Sequence, residues 1–324
     1  MRDRVGAVAI GRNEGPRLAR CLDTLGPQVG RLVYVDSGST DGSVETARAR
    51  GVEVVELDMS RPFSAARARN AGAEALARTG LPEMIQFVDG DCGVEPGWIE
   101  RAVAALDADP HLGLVTGWRT EDAPDATIYN AMLEVEWHRP AGPIRSCGGD
   151  LMVRSALFRQ VGGFDPALVV SEDEDFVVRV RATGAGAVRL PAVMTHHDGG
   201  VTRFGQWWRR SVRTGHGYAE VGDRHPGHFA AERRRVMVYA VLLPAAMLGA
   251  AALGLWWVAL AGLALYGLSW VRTARGLHRQ GLSGSMAAVQ AGFLVLSKLP
   301  NLQGMVVHYW RRLRHRPMEL IEYR

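Results

Sequence analysis

Over its first hundred residues the chain alternates short apolar runs with helix-patterned segments, and few folds accommodate that alternation. Val5 to Ile10, Arg31 to Asp36, Val52 to Leu57 and Met84 to Val88 read as strands. Pro16 can open a helix whose Leu18, Cys21, Leu22 and Leu25 form one apolar face. Ser39, Thr40 or Asp41 can cap a second helix ending near Gly51. Ser64 to Arg78 is an alanine-rich third with Gly80 at its end, and Gly97 to Leu106 a fourth. The fold class expected is α/β, a mainly parallel sheet flanked by helices. Ligands of such sheets collect at the carboxyl ends of the strands, where Asp36 and Asp89 fall. From Leu112 to Pro191 the pattern is mixed. Asp125 to Trp137 and Ser171 to Ala182 look helical, and Gly148-Gly149 and Gly162-Gly163 punctuate a strand-and-helix unit.

The rest of the chain is different. Val236 to Val271 runs for 36 residues without a charged side chain, too long for one membrane span and just enough for two short ones. Arg233 to Arg235 precede it and Arg272 to Arg279 follow it. The positive-inside rule puts both ends in the cytoplasm, as a helical hairpin would. Pro244 or Gly254 can break the run. A buried hairpin of a soluble protein is the plainer alternative. Met286 to Trp310 carries Lys298, Pro300, Asn301 and His308, which suits a kinked interfacial helix. The expected organisation is a catalytic domain over 1–203, a basic connector at the membrane surface over 204–235, a membrane hairpin over 236–271 and a basic region with an interfacial helix over 272–324.

The net charge is only +4 in 324 residues, and the basic excess is local, beside the apolar segments. Anionic lipid is the expected partner of such clusters. No nucleic acid is expected, because no nucleic-acid-binding signature accompanies the charge. Three cysteines, Cys21, Cys92 and Cys147, are odd in number and widely spaced, which fits a reduced compartment. The apolar run at Val5 to Ile10 is too short for a signal peptide, so the catalytic domain is expected in the cytoplasm, at the inner membrane.

Chemistry concentrates at three places. Asp89-Gly90-Asp91 ends a strand. Two carboxylates two residues apart along an extended strand point the same way and repel unless a cation separates them. Mg²⁺ or Mn²⁺ suits such oxygens and bridges to phosphates; an Asx-type turn is the plain alternative. Ser171-Glu172-Asp173-Glu174-Asp175 is the second place. Ser171 and Glu174 can form a capping box, but that needs one acid and the run has four, so one of them could serve as a general base. His196-His197 follow a short strand, Ala187 to Val193, and suit a metal, a phosphate or a structural role. P-loop, Rossmann and nucleophile-elbow motifs are absent.

In one order stand Ala9-Ile10-Gly-Arg12-Asn13-Glu14, Val35-Asp36-Ser-Gly-Ser39-Thr-Asp41-Gly, Ala68-Arg69-Asn-Ala-Gly72, Asp89-Gly90-Asp91 and Glu172-Asp173-Glu-Asp175. This set resembles the family 2 inverting glycosyltransferases of the GT-A fold, in a bacterial membrane-associated form, over roughly residues 5 to 200. The resemblance implies that Asp36 contacts the nucleotide base, flanked by Ile10, Arg12, Asn13, Glu14 and Ser39. Arg69 lies near the diphosphate, and Asp89 and Gly90 face the donor. Asp91 is the stronger metal ligand, completed by His196 or His197. Asp173 is the base that deprotonates the acceptor. Gly148, Gly149 and Asp150, with Glu172, form a loop near donor and acceptor; many relatives carry Asn where this chain has Asp150. Gln206-Trp207-Trp208-Arg209-Arg210 resembles the Gln-x-x-Arg-Trp motif of processive synthases with altered spacing, or is an amphipathic helix at the membrane surface.

The implied activity moves a sugar from a nucleotide-diphosphate donor to a polyprenyl- or lipid-linked acceptor, in envelope or exopolysaccharide synthesis, with Mg²⁺ or Mn²⁺. Three alternatives stand beside it. A processive polysaccharide synthase would carry more spans. A membrane-bound nucleotidyltransferase would show a glycine-rich loop where this chain has only Gly11 and Gly15. A non-catalytic scaffold would not keep carboxylates at every expected position.

Overall fold

The computed structural model describes residues 1–316; residues 317–324, the end of the expected 272–324 region, lie outside the described residues. The chain divides into two compact units, Met1–Gly200 and a second that begins at Val201.

The first unit contains β1 (Val5–Gly11), α1 (Pro16–Leu25), β2 (Arg31–Asp36), α2 (Ser43–Ala49), β3 (Glu53–Glu56), α3 (Ala65–Ala77) and β4 (Met84–Asp89). Then come β5 (Cys92–Val94), α4 (Trp98–Ala108), β6 (Leu112–Glu121), α5 (Ile128–Trp137), β7 (Gly142–Pro143), β8 (Leu151–Arg154), α6 (Ser155–Gln160), α7 (Glu172–Ala182) and β9 (Gly186–His197). One sheet runs β3-β2-β1-β4-β8-β6-β9-β5, with β7 beside β9.

Strand β1 shows why the sheet is covered on both faces. Its residues alternate sides, as any strand's must. Val5, Ala7 and Ala9 pack into a core with Leu18, Leu22 and Leu25 of α1 and Val103 and Leu106 of α4. Val8 and Ile10 pack into another with Leu76 of α3 and Phe176 and Val180 of α7. Helix α3 lies close on the sheet because Gly72 lacks a side chain: a Cβ there would sit 2.2 Å from Val8 Cγ1.

The expectation of a mainly parallel sheet holds for half of it. Strands β3, β2, β1 and β4 are mutually parallel. Beyond β4 the sheet is mixed: β8 is antiparallel to both β4 and β6, β9 is parallel to β6, and β5 and β7 run antiparallel to β9. The physical reason is connectivity. Single helices cross over between the first four strands, which keeps neighbours parallel. The chain reaches β8 only after β5, α4, β6, α5 and β7, so no single crossover dictates its direction.

The second unit is helical: α8 (Phe204–Arg224), α9 (Ala230–Met237), α10 (Leu243–Ala252), α11 (Trp256–Arg279), α12 (Gly284–Leu296) and α13 (Lys298–Leu313). A π-helical turn, Val238–Leu242, joins α9 to α10 without interruption, so helix spans Ala230–Ala252. Of the two proposed break points, Gly254 (φ 76°) is the one used, and α10 folds back on α11. Among the described residues one helix, Ala230–Ala252, is long and apolar enough to cross a membrane. The other arm of the expected hairpin carries Arg272, Arg275 and Arg279 in its last turns. The expected kink between Met286 and Trp310 falls at Ser297, where α12 gives way to α13.

Candidate active site

Strand ends β1, β2 and β4 lie side by side because Ile10 pairs with both Val35 and Asp89. The loops beyond them are laced together. Asp36 Oδ1 accepts from the Tyr34 hydroxyl (2.9 Å), and Oδ2 accepts from the amides of Gly38 (2.9 Å) and Ser39 (2.8 Å). A carboxylate has about four acceptor sites, so Asp36 mainly holds its own loop. Asn13, at φ 57°, donates its amide to Ser39 Oγ (2.9 Å) and accepts from Thr40 N on Oδ1 (2.8 Å). Asp41 Oδ2 accepts from Gly15 N (2.9 Å). The Asp-x-Gly-Ser-Thr-Asp run therefore closes against the loop after β1. Glu14 pairs with Arg17 (3.0 Å), and the Arg12 guanidinium lies over the Phe63 ring. Gly90 N donates to Ile10 O (2.7 Å), an approach that leaves no room for a Cβ, which would sit 2.9 Å from that oxygen.

Below these loops runs a chain of alternating charges. Arg69, 2 % exposed, reaches Glu172 (2.5 Å) with one nitrogen and Asp89 (2.7 Å) with the other. Arg119 contacts the second oxygen of Asp89 (3.0 Å) and Asp150 (2.6 Å). Asp150 is buried, takes Asp89 N (2.9 Å) and the Thr195 hydroxyl (2.9 Å), and is fixed through its own carbonyl by Thr116. Burial alone would raise the Asp89 carboxyl, but Arg69 and Arg119 outweigh it and hold it below the ordinary aspartate value. The cations between the carboxylates are thus guanidiniums. Gly149 makes room for the chain: a Cβ there would lie 1.8 Å from Arg69 Nη2, whereas one at Gly148 would meet nothing.

Asp91 looks the other way. Its Oδ2 lies 3.1 Å from His197 Nε2, and Cys92 Sγ is 3.5 Å from Oδ1. All three residues are buried, with ligand atoms within 4.8 Å of one another. Two ligands at right angles on an ion with bonds of about 2.1 Å are roughly 3 Å apart. The Asp91–His197 spacing therefore fits a hard divalent ion. The Trp137 ring meets the His197 ring edge-on at 4.9 Å.

The histidine pair does not follow a short strand Ala187 to Val193. Strand β9 continues through His197, so the two rings leave on opposite faces. His196 turns to Glu95 (2.7 Å), away from Asp91, and only His197 joins the candidate metal centre.

The acidic run also differs from expectation. Ser171, at φ 57°, makes no side-chain cap, so the capping box does not form; Asp173 Oδ1 instead accepts from Glu174 N (2.8 Å). Glu172 pairs with Arg69, and Asp175 with Arg179 (2.8 Å). Burial raises the Asp173 carboxyl well above the ordinary value, and Glu172 and Glu174 push it further. A carboxyl so placed is a stronger base than an ordinary aspartate. Helix α5 begins at Ile128 rather than Asp125, because Thr127 Oγ1 caps it from Asn130 N (3.2 Å).

Trp207, Trp208 and Arg210 sit on α8, in the second unit. Trp207 is buried edge-on to Phe293 (5.0 Å), and Trp208 donates to Gln303 (2.9 Å). Sequence reasoning missed Arg119, Tyr34 and Thr195. An arginine beside the apolar run Leu112 to Gly117 was the available signal for the first; nothing local marks the others.

Residues 8–153 match the family described as Glycosyl transferase family 2. The chain carries a family 2 glycosyltransferase domain. It is 27% identical over 277 residues to the N-acetylglucosaminyl-diphospho-decaprenol L-rhamnosyltransferase of Mycobacterium tuberculosis, covering 72% of this chain and 89% of that protein. It is 24% identical over 222 residues to Glycosyltransferase AglE of Haloferax volcanii, 64% of this chain and 71% of the relative. In fold it resembles the mannosyltransferase PcManGT from Pyrobaculum calidifontis, solved with GDP-Man and Mn²⁺, at TM-score 0.61 and 19% identity over 96% of this chain and 88% of that one. The family 2 domain sits on a GT-A-like mixed α/β sheet flanked by helices, and the protein is a glycosyltransferase.

Proposed function

We propose that this glycosyltransferase moves a sugar from a nucleotide-diphosphate donor to a lipid-linked acceptor at the inner face of the cytoplasmic membrane, with inversion at the anomeric carbon, in cell-envelope or exopolysaccharide synthesis. The observation that carries the reading is the meeting of the Asp91–His197 pair and the clamped Asp89 at the carboxyl ends of the strands. The donor class is supported by the GDP-Man held by PcManGT. The acceptor class is supported by the decaprenol-linked substrate of the mycobacterial relative and by the helix Ala230–Ala252.

Asp91 and His197 would hold Mg²⁺ or Mn²⁺, which when bound offsets the charge gathering on the departing nucleoside diphosphate. Asp89, pinned by two arginines, presents a fixed face to the donor. Asp36 and Asn13 shape the loop around the base through the hydrogen bonds they make within it. Asp173 takes the proton of the acceptor hydroxyl as that oxygen bonds to the anomeric carbon and the diphosphate oxygen leaves on the opposite side. One displacement inverts the centre.

The test is nucleoside diphosphate release from a panel of nucleotide sugars, with and without Mn²⁺, with polyprenyl-linked or free soluble sugar acceptors. Metal-dependent release that requires the lipid-linked acceptor is expected, and NMR of the product should show the inverted anomer. Modification of free sugars alone would remove the lipid assignment, and undiminished turnover of Asp173→Asn would remove the base.

A further inference from the structure

Arg189, on β9, is a buried cation for which the fold supplies no partner of opposite charge. It is 8 % exposed. Its Nη1 donates to Pro140 O at 3.4 Å, and its Nε has no hydrogen-bond partner. Among the described residues no carboxylate lies within ion-pair distance of it. Arg69, Arg119 and Arg179 of the same unit each meet a carboxylate. Leaving a buried charge unpaired is strongly unfavourable, so this guanidinium calls for an anion.

The surroundings say which anion. Gly142 and Pro143 of β7 pair with Arg189 and Val188, so the segment that carries exposed Arg139 and Pro140 runs beside Arg189. Burial lowers the Arg189 pKa first and the like charge of Arg139 lowers it too; Cys147 and Glu174 offset only part of this. Ala187, two residues before Arg189, packs with Phe176, Val177 and Val180 of α7. Arg189 therefore leaves the strand on the face covered by the helix that opens with the acidic run. Cys147 joins the two. Burial raises its thiol, and of the charges acting on it Asp173 and Glu174 raise it while Arg189 and Arg69 lower it. The candidate base and the unpaired cation thus act on one sulfur. The donor's diphosphate belongs elsewhere. Arg189 pairs with Thr116 of β6 and His197 with Glu121, five residues further along β6. That spacing is about 17 Å of strand. Side chains stand roughly perpendicular to a sheet, so one diphosphate does not serve both places.

We infer that Arg189, with Arg139 at its rim, binds a phosphate group of the acceptor, beside the hydroxyl that Asp173 deprotonates. This deepens the proposed function and rests on it: the acceptor is a sugar joined to its lipid through a phosphate or diphosphate. The hydroxyl at the base and the phosphate at the cation are then two ends of one sugar residue, which is oriented before transfer. Arginine suits the task, because its planar guanidinium meets two phosphate oxygens at once and keeps its charge when buried.

The probe is a short prenyl diphosphate, titrated into the detergent-solubilised full chain without donor or metal, with the prenyl alcohol of the same length as control. Wild type should bind the diphosphate and not the alcohol. Arg189→Met should weaken that binding about 10–100-fold through loss of charge-assisted hydrogen bonds, and Arg189→Lys should weaken it less. The Met variant should melt no lower than wild type, because no carboxylate loses its partner, and the diphosphate should raise the melting temperature of wild type alone. Nucleotide-sugar binding with Mn²⁺ should be equal in the two. Unchanged diphosphate binding in folded Arg189→Met would overturn the inference. Loss of nucleotide-sugar binding in that variant would overturn it in favour of a donor phosphate. Competition by anionic-lipid vesicles as strong as that by the prenyl diphosphate would overturn it in favour of a headgroup. Where Arg189→Met fails to fold, Arg139→Gln decides, since that residue is exposed: several-fold weaker binding upholds the site and unchanged binding overturns it. A wild type that uses lipid-linked acceptors and is indifferent to Arg189 sinks this inference alone; one that ignores lipid-linked acceptors sinks the function on which it rests.

Discussion

At the level of single residues, Asp173 carries the sharpest expectation. Its carboxyl is raised because burial and two acidic neighbours disfavour its charge. Below the raised value it holds a proton and cannot accept another. Turnover should therefore climb as pH rises through a midpoint above the ordinary aspartate value near 3.8. The same shift acts on stability with the opposite sign: the folded state binds this proton more tightly than the unfolded chain, so stability falls as pH rises through the interval between the two values. Asp173→Asn should lower turnover by about 10²–10⁴-fold yet melt no lower than wild type at neutral pH, which steady-state rates and a thermal melt would check. Asp173 was legible in the sequence only through its place in an ordered motif. The four acids looked equivalent, and what separates them is which cations reach them. Arg69 takes Glu172 and Arg179 takes Asp175, pairings that span 103 and 4 residues. The longer of these has no local signature.

At the level of elements, close approach decides more than propensity. Helix α3 lies on β1 through Gly72, so Gly72→Ala should destabilise the first unit by about 1–3 kcal/mol through overpacking, seen as a lower denaturant midpoint at unchanged slope. Arg69, carried on the same helix, joins Asp89 on β4 to Glu172 on α7. Arg69→Met should cost about 3–5 kcal/mol, because it leaves the buried Glu172 without its partner and Asp89 with Arg119 alone. Adding Glu172→Gln should recover part of that, a coupling measurable as a double-mutant cycle. Strands β1, β2 and β4 were legible because burial on both faces writes continuous apolar runs into the sequence. Strands β6, β8 and β9 were less so. Their order in the sheet depends on contacts between segments far apart in the chain, and the extension of β9 over polar Thr195, His196 and His197 departs from the apolar pattern that marks its start.

At the scale of the whole molecule, the second unit exposes much apolar surface. Leu248, Trp256, Trp257 and Leu260 are 73 %, 65 %, 70 % and 64 % exposed. Patches of that kind in water mark a membrane or an interaction site. The full chain should float with anionic-lipid vesicles in a density gradient, and about 1 M salt, where charges are screened beyond roughly 3 Å, should not release it. Complete release by salt would mean that the basic clusters hold the protein alone, with no apolar insertion. The charge-free run announced this surface in the sequence. It did not reveal where helices begin, because the first apolar helix starts at Ala230, ahead of the arginines at 233–235, rather than after them.

The two histidines at the end of β9 carry one further consequence. Neighbours on a strand differ in parity, so which imidazole meets Asp91 depends on whether an odd or even number of residues precedes it in register. Strand β9 shifts register against β6 three times, between Leu112 and Leu114, between Thr116 and Trp118, and between Trp118 and Arg119. Each shift is a place where that count is reset. Inserting one residue between Arg189 and Val193 would move His196 into the place now held by His197 and Thr195 into the place beside Glu95. The chain carries imidazoles at neighbouring positions, so the shifted strand would still present nitrogen to Asp91. A neighbouring pair of like residues thus makes this corner of the sheet tolerant of an error that elsewhere along a strand would empty the site.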